Sequence, residues 1–159
     1  MSYRTILLGA LVVLTAGCNP FRRSPAVEVS EDANLNTRWH GTLASPSSLA
    51  GAVQIGGSAT MTPGGDARTT NVRLELANAA PGGEHPWGLH RGQCDNDEGL
   101  VGPRSEFKTI KVGRDGRADS TARVDFHTPT SGRYSVRVMA SAANPEMLVA
   151  CANLAPPSR

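Results

Sequence analysis

Aromatic residues are scarce in this chain, at 4% of 159 residues, with three Phe, two Tyr and two Trp. Set against 17 Gly and 11 Pro, that scarcity argues against a helical bundle and for a turn-rich β domain. A large charge of one sign is lacking too. The formal net charge of +2 is too small to select nucleic acid as a partner. Nor does the chain carry a nucleophile elbow, a phosphate-binding loop or a metalloprotease helix motif, which removes the enzyme classes built on them. Cysteine numbers three, an odd count that leaves one thiol to explain.

What is present begins with a leader. Arg4 precedes the apolar core Ile6-Leu7-Leu8-Gly9-Ala10-Leu11-Val12-Val13-Leu14, and Thr15-Ala16-Gly17 places small residues directly before Cys18. The apolar run is too short to cross a hydrocarbon core of about 30 Å as a stable helix. The pattern resembles a bacterial lipoprotein signal, which implies a signal peptide over 1–17, cleavage before Cys18 and a lipid on Cys18. The rival reading is ordinary secretion with a cut nearby. Two or three acyl chains, at about 0.8 kcal/mol per buried CH₂, anchor a protein stably, so the membrane is the expected partner. Asn19 in place of Asp is compatible, on the same resemblance, with an outer-membrane destination; the expected location is the cell envelope.

Residues 18–36 hold the lipidation site and a segment with Pro20, Arg22-Arg23 and Pro25 but no apolar period, which reads as a flexible tether. Outside the cytoplasm Cys94 and Cys151, 57 residues apart, can pair. In the chain-entropy description a loop of that size contributes roughly 4 kcal/mol. A free thiol or a metal ligand is the other reading of either cysteine.

From Thr37 onward the chain reads as short strands between turn signals. Candidates are Trp39–Leu43, Ala52–Met61, Asn71–Leu76, Trp87–His90, Phe107–Val112, Asp119–Phe126, Tyr134–Val138 and Leu148–Leu154. Gly56-Gly57 suggests a bulge or a barrel corner, and Asp115-Gly116 a hairpin turn. Asp95-Asn96-Asp97-Glu98-Gly99 reads as a polar loop; it lacks the spacing of a calcium loop and is taken as a solvated turn. Trp39 and Trp87 are core or rim residues. The expected fold is all-β, an eight-stranded antiparallel Greek-key barrel or sandwich over 37–155, with 156–159 as a tail.

Three features carry a resemblance to the copper/zinc superoxide dismutase family. They are Trp87-Gly88-Leu89-His90-Arg91-Gly92-Gln93-Cys94, the turn Asp115-Gly116, and the ending Leu148-Val149-Ala150-Cys151. The chain is more similar still to a bacterial, short-loop group of that family. The resemblance implies a flattened Greek-key barrel and a disulfide between Cys94 and Cys151. It also locates the metal ligands, and most are missing. The family's His-x-His pair sets two imidazoles on one strand face; here Gly88 stands in the first place and only His90 remains. Met139 occupies the place of a third copper ligand. The zinc-binding loop corresponds to Asp95–Phe107, which has no histidine, and the loop between the last two strands is cut to Ala142–Met147.

A lone imidazole does not hold a redox metal, which needs several ligands of defined geometry. The expectation is therefore a non-catalytic dismutase-like domain with no cofactor and no metal site. Two rivals stand beside it. One is a copper-binding envelope protein using His90 and the Met139 thioether, with His85 as a further ligand. The other is a divergent dismutase in which His40, His85 and His127 converge on His90.

Overall fold

Asn71-Val72-Arg73-Leu74-Glu75-Leu76 alternates apolar and polar side chains, a pattern that buries one face of a strand and wets the other. In the computed structural model, which describes residues 37–52 and 54–157, this segment lies within β3 (Thr70–Ala77). Val72, Leu74 and Leu76 are buried there while Arg73 and Glu75 are exposed. The expected signal peptide, Cys18 and the tether lie outside the described residues.

The other strands are β1 (Trp39–Ala44), β2 (Gly56–Pro63), β4 (Glu84–His85), β5 (Trp87–Gln93) and β6 (Asn96–Leu100). They continue with β7 (Ile110–Lys111), β8 (Ala118–Val124), β9 (Tyr134–Ser141) and β10 (Asn144–Leu154). Eight form one antiparallel sheet in the order β6-β5-β9-β10-β1-β2-β3-β8, and β4 pairs with β7. After β3 the chain crosses to build β5 and β6 at the far edge and returns to lay β8 on β3. It then crosses again to place β9 between β5 and β10. These are Greek-key connections.

The sheet curls until its two edges approach. Gly102, just past β6, lies so close to β8 that a Cβ there would meet Val124 Cγ1 at 2.6 Å. β4 also packs on β9 and β7 on β8, so the short ribbon bridges the seam as well. The fold is all-β and barrel-like, as expected from the strand pattern. Both tryptophans are core. Trp39 donates its indole N–H to the Pro129 carbonyl at 2.9 Å, and Trp87 donates to Lys108 at 2.8 Å, so neither buries an unpaired donor.

Several expected boundaries are corrected. Asp95–Gly99 is not a loop: residues 96–100 form β6, the sheet's edge strand, whose polar side chains suit a position with one neighbour and one wet edge. The expected strand Phe107–Val112 shrinks to Ile110–Lys111, because a 3-10 turn at Arg104–Glu106 delivers Phe107 onto the Trp87 ring at 5.2 Å. Ala142–Met147 is mostly strand, since β10 begins at Asn144 directly opposite Ser141. The second strand starts at Gly56, not Ala52, and its glycine pair makes no bulge: Gly56 and Gly57 stay in register with both neighbours. Gly57 is needed for close approach. At φ +143 a Cβ would fall 1.9 Å from the Glu75 carbonyl oxygen.

Gly57→Ala should therefore cost more than about 2 kcal/mol, read as a lowered urea midpoint. Gly65→Ala, in open space on an exposed turn, should stay within about 0.5 kcal/mol of the parent.

Candidate functional site

On a strand, successive side chains face opposite ways, and β5 uses both faces. Trp87 and Leu89 point into the core. Gly88 and His90 are on the opposite face, beside β6, whose Leu100 and Asp97 side chains reach over them. Across the strand, β9 pairs His90 with Ser135 and Gly88 with Arg137, so these four share the outer face. The chain ties β5 to β10 over the top of β9 by the Cys94–Cys151 disulfide, with Cα atoms 5.9 Å apart.

The chemistry concentrates on His90, of which 7% is exposed. Its Nδ1 lies 2.8 Å from Asp97 Oδ1 on β6. An ionised carboxylate only accepts, so the imidazole proton sits on Nδ1 and Nε2 keeps its lone pair. Asp97 also accepts from the Gly99 N–H at 2.9 Å and faces Arg137, whose Nε is 3.4 Å from Oδ2. Arg137 in turn donates to the carbonyls of Cys94 at 3.2 Å and Gln93 at 3.5 Å. The Cys94 N–H donates to Asn153 Oδ1 at 2.8 Å. The disulfide and the polar cluster are thus one connected unit.

Burial pushes the His90 imidazole below the ordinary histidine value; Asp97 pulls it back up, and Arg137 and Arg104 push it further down. For Asp97, burial acts upward, but the Gly99 N–H, His90 and Arg137 outweigh it and hold the carboxyl below the ordinary range. Neutral imidazole beside carboxylate is the resting state at neutral pH.

The space over Gly88, where a second imidazole would arise in a His-x-His pair, is occupied. A Cβ at Gly88 would meet Leu100 Cδ1 at 2.4 Å and His90 Nε2 at 3.5 Å. The cross-strand neighbour of that place is the Arg137 cation.

The remaining candidates are not brought to His90. Met139 is buried on the same sheet face, but four residues along β9 from Ser135, a run of about 13 Å at strand spacing. His85 is held elsewhere, its Nδ1 donating to the Met139 carbonyl at 3.1 Å. His40 is exposed on β1, with β9 and β10 between it and β5, and His127 follows β8 and bonds the Ala67 carbonyl through Nδ1 at 2.6 Å. The expected sets His90/Met139/His85 and His40/His85/His127/His90 are corrected accordingly: His85 touches Met139, but neither is brought to His90, and His40 and His127 lie elsewhere on the barrel. Among the described residues no group of three or more His, Cys, Asp or Glu side chains is arranged to hold a metal ion.

Three members of the cluster were not foreseen: Asp97, Arg137 and Ser135. Arg137 had a signal, as a charge in a mostly buried strand two residues before Met139. Asp97 had none, being placed by an edge strand read as a loop. Ser135, His90 and Asp97 together look like a nucleophile, base and orienting acid. Ser135 is fully buried, however, and its Oγ has no hydrogen-bond partner, so it is not poised to attack a substrate. No protein-family model matches the chain, and no curated protein matches it.

Acid should destabilise the domain in two steps. The native state disfavours protonated His90, so its contribution is complete above about pH 6.5 and is lost as pH falls below that value. The Asp97 contribution is present above about pH 3.8 and is lost as pH falls through the lower native value. Urea midpoints between pH 8 and 3 should show both, and Asp97→Ala should shrink the lower step, leaving the share of Asp66, whose carboxyl is also held below the ordinary range, and deepen the upper one.

Proposed function

We propose that this chain is an exported, lipid-anchored protein of the bacterial cell envelope. Its domain, on this reading, is a superoxide dismutase-like barrel that works without catalysis and without a metal centre. The observation that carries the reading is the occupied space over Gly88. The family's copper requires two imidazoles from this strand; here one is absent, a Leu100 methyl fills its volume, and a guanidinium stands across from it. The surviving imidazole is held by a carboxylate on Nδ1, and a nearby cation opposes a second positive charge. Copper and zinc therefore do not fit the residues present, and no step of a reaction is routed through them.

Other features support the same frame. The strand order has Greek-key crossovers, and a disulfide joins the end of the histidine strand to the last strand, as the family resemblance implies. A disulfide-bonded domain behind a lipoprotein-like leader suits an oxidising compartment. The domain's first strand continues directly from the tether, so a lipid on Cys18 would hold the barrel at the membrane surface.

Two measurements test this reading. The purified mature chain, loaded with copper and zinc and then desalted, should retain well under one equivalent of metal and remove superoxide no faster than buffer. Tight stoichiometric copper with dismutation overturns it. In cells, the parent chain should sediment with membranes, and Cys18→Ala should move to the soluble exported fraction; a variant that stays membrane-bound contradicts lipidation at Cys18.

A further inference from the structure

We propose that the solvent face of β2, β3 and β8 is a binding site for an acidic sugar, either a free oligosaccharide or a stretch of a longer glycan, whose carboxylates Arg38 and Arg73 take. This goes beyond the reading above and depends on neither the lipid anchor nor the fate of the metal site.

Strand alternation builds the face. Ala59, Met61, Val72, Leu74 and Ala122 turn into the core, so Thr60, Thr62, Asn71, Arg73, Glu75 and Thr121 stand on the other side. Pairing register sets Thr60 level with Arg73 and Thr121, and Thr62 level with Asn71. With Arg38, directly before β1, and Ser58 they line a cleft of about 630 Å³, within the size range of small-ligand sites. Every side chain that lines it is polar or charged.

The charges in the cleft are unequally engaged. Both oxygens of Glu75 are taken: Oε1 accepts from Arg73 Nε at 3.0 Å and Oε2 from Ser58 Oγ at 3.3 Å. Arg123, the next cation on this face, is tied to Asp66. Among the described residues, the terminal nitrogens of Arg73 and the whole guanidinium of Arg38 have no protein partner. Two guanidiniums against one carboxylate leave the cleft net positive. Its floor is open as well, for the hydroxyls of Thr60, Thr62 and Thr121 and the Asn71 amide bond no other protein group among the described residues. Guanidinium forks take carboxylates in bidentate pairs, and unengaged hydroxyls and amides match the hydroxyls of a sugar.

That combination selects among ligands. A peptide added as a strand needs a free sheet edge, but β2 is paired with β1 and β3, and β3 with β2 and β8. A single-stranded nucleic acid needs aromatic rings for its bases to stack on, and the cleft has none. An acyl chain or an apolar protein surface finds no hydrophobic contact here. A chain hydroxylated along its length and acidic at intervals meets complementary groups at every point. Because the cleft is open to water, each contact is weak and the guanidiniums carry the selectivity for acid.

The test titrates the purified chain, followed by ¹⁵N NMR, with a galacturonate hexamer, long polygalacturonate and, as neutral control, maltohexaose. Arg38→Gln, Arg73→Gln and Thr60→Val alter the cleft; Arg114→Gln removes an exposed arginine outside it, and urea midpoints check that each variant folds. The hexamer should move amide signals around Thr60 and Arg73 and leave those of β5 and β9 in place, and maltohexaose should bind at least about tenfold more weakly. Each cleft arginine variant should lose at least about fivefold in affinity and Thr60→Val about threefold, with Arg114→Gln unchanged. Equal affinity for hexamer and polymer supports a free oligosaccharide as ligand; tighter binding of the polymer supports a glycan strand. The proposal is overturned if neither acidic sugar binds at about 10 mM, or if maltohexaose binds as well as the hexamer. Equal losses in Arg114→Gln and the cleft arginine variants, or no loss in Thr60→Val, also overturn it, since the face would then act as undirected charge. So does sedimentation with phosphatidylglycerol vesicles that needs Arg38 and Arg73 while both acidic sugars fail to bind, which assigns the face to a lipid surface.

Discussion

The Cys94–Cys151 bond is the constraint on which the arrangement of the site depends. β5 and β10 are not neighbours; β9 lies between them. The disulfide passes over β9 and fixes the end of the histidine strand to a strand held on both sides. It closes a loop of 57 residues, for which chain entropy alone gives roughly 4 kcal/mol. For a domain this poor in aromatics, that is a large fraction of a typical net stability. The same bond also sets the position of the Cys94 carbonyl, which Arg137 caps, and through Arg137 the position of Asp97. Staple, guanidinium, carboxylate and imidazole form one chain of contacts.

That chain of contacts gives His90 a role that requires no metal. A ligating imidazole also gives its other nitrogen to a carboxylate or carbonyl, so the Asp97 contact alone does not decide the matter. The surroundings of Nε2 bear on it more directly. They comprise the Leu100 methyl, the backbone of Gly88 and nearby guanidinium charge, an environment that favours a neutral imidazole and disfavours an added cation. The histidine tethers the edge strand to the sheet, a use of the side chain that needs only Nδ1.

Much of the fold was legible in the sequence because its inner strands bury one face. Alternation in Asn71–Leu76 and Tyr134–Val138 located β3 and β9, and the glycine-rich turns located their ends. What escaped detection was the edge. Asn96-Asp97-Glu98-Gly99-Leu100 has no apolar alternation because an edge strand with outward side chains requires none, and so β6 read as a loop. Gly57 misled in the opposite sense: a glycine in a strand signals either a bulge or a close approach of backbones, and only three-dimensional register tells them apart. At the site, His90 and both cysteines could be picked out from spacing. Asp97 could not, and with it went the partner that defines the imidazole's state. The separation of His90 from Met139 follows from pairing register, which residue identity does not encode.

The most direct measurement is the ¹⁵N NMR spectrum of the His90 imidazole in the purified domain at neutral pH, recorded before and after one equivalent of Cu(I) or Zn(II). A carboxylate-held, metal-free histidine gives a protonated Nδ1 and an unprotonated Nε2 whose resonances do not move when metal is added. Loss of the Nε2 signal or a large shift of it at one equivalent, abolished in His90→Gln, would contradict the assignment and restore a metal centre to this strand.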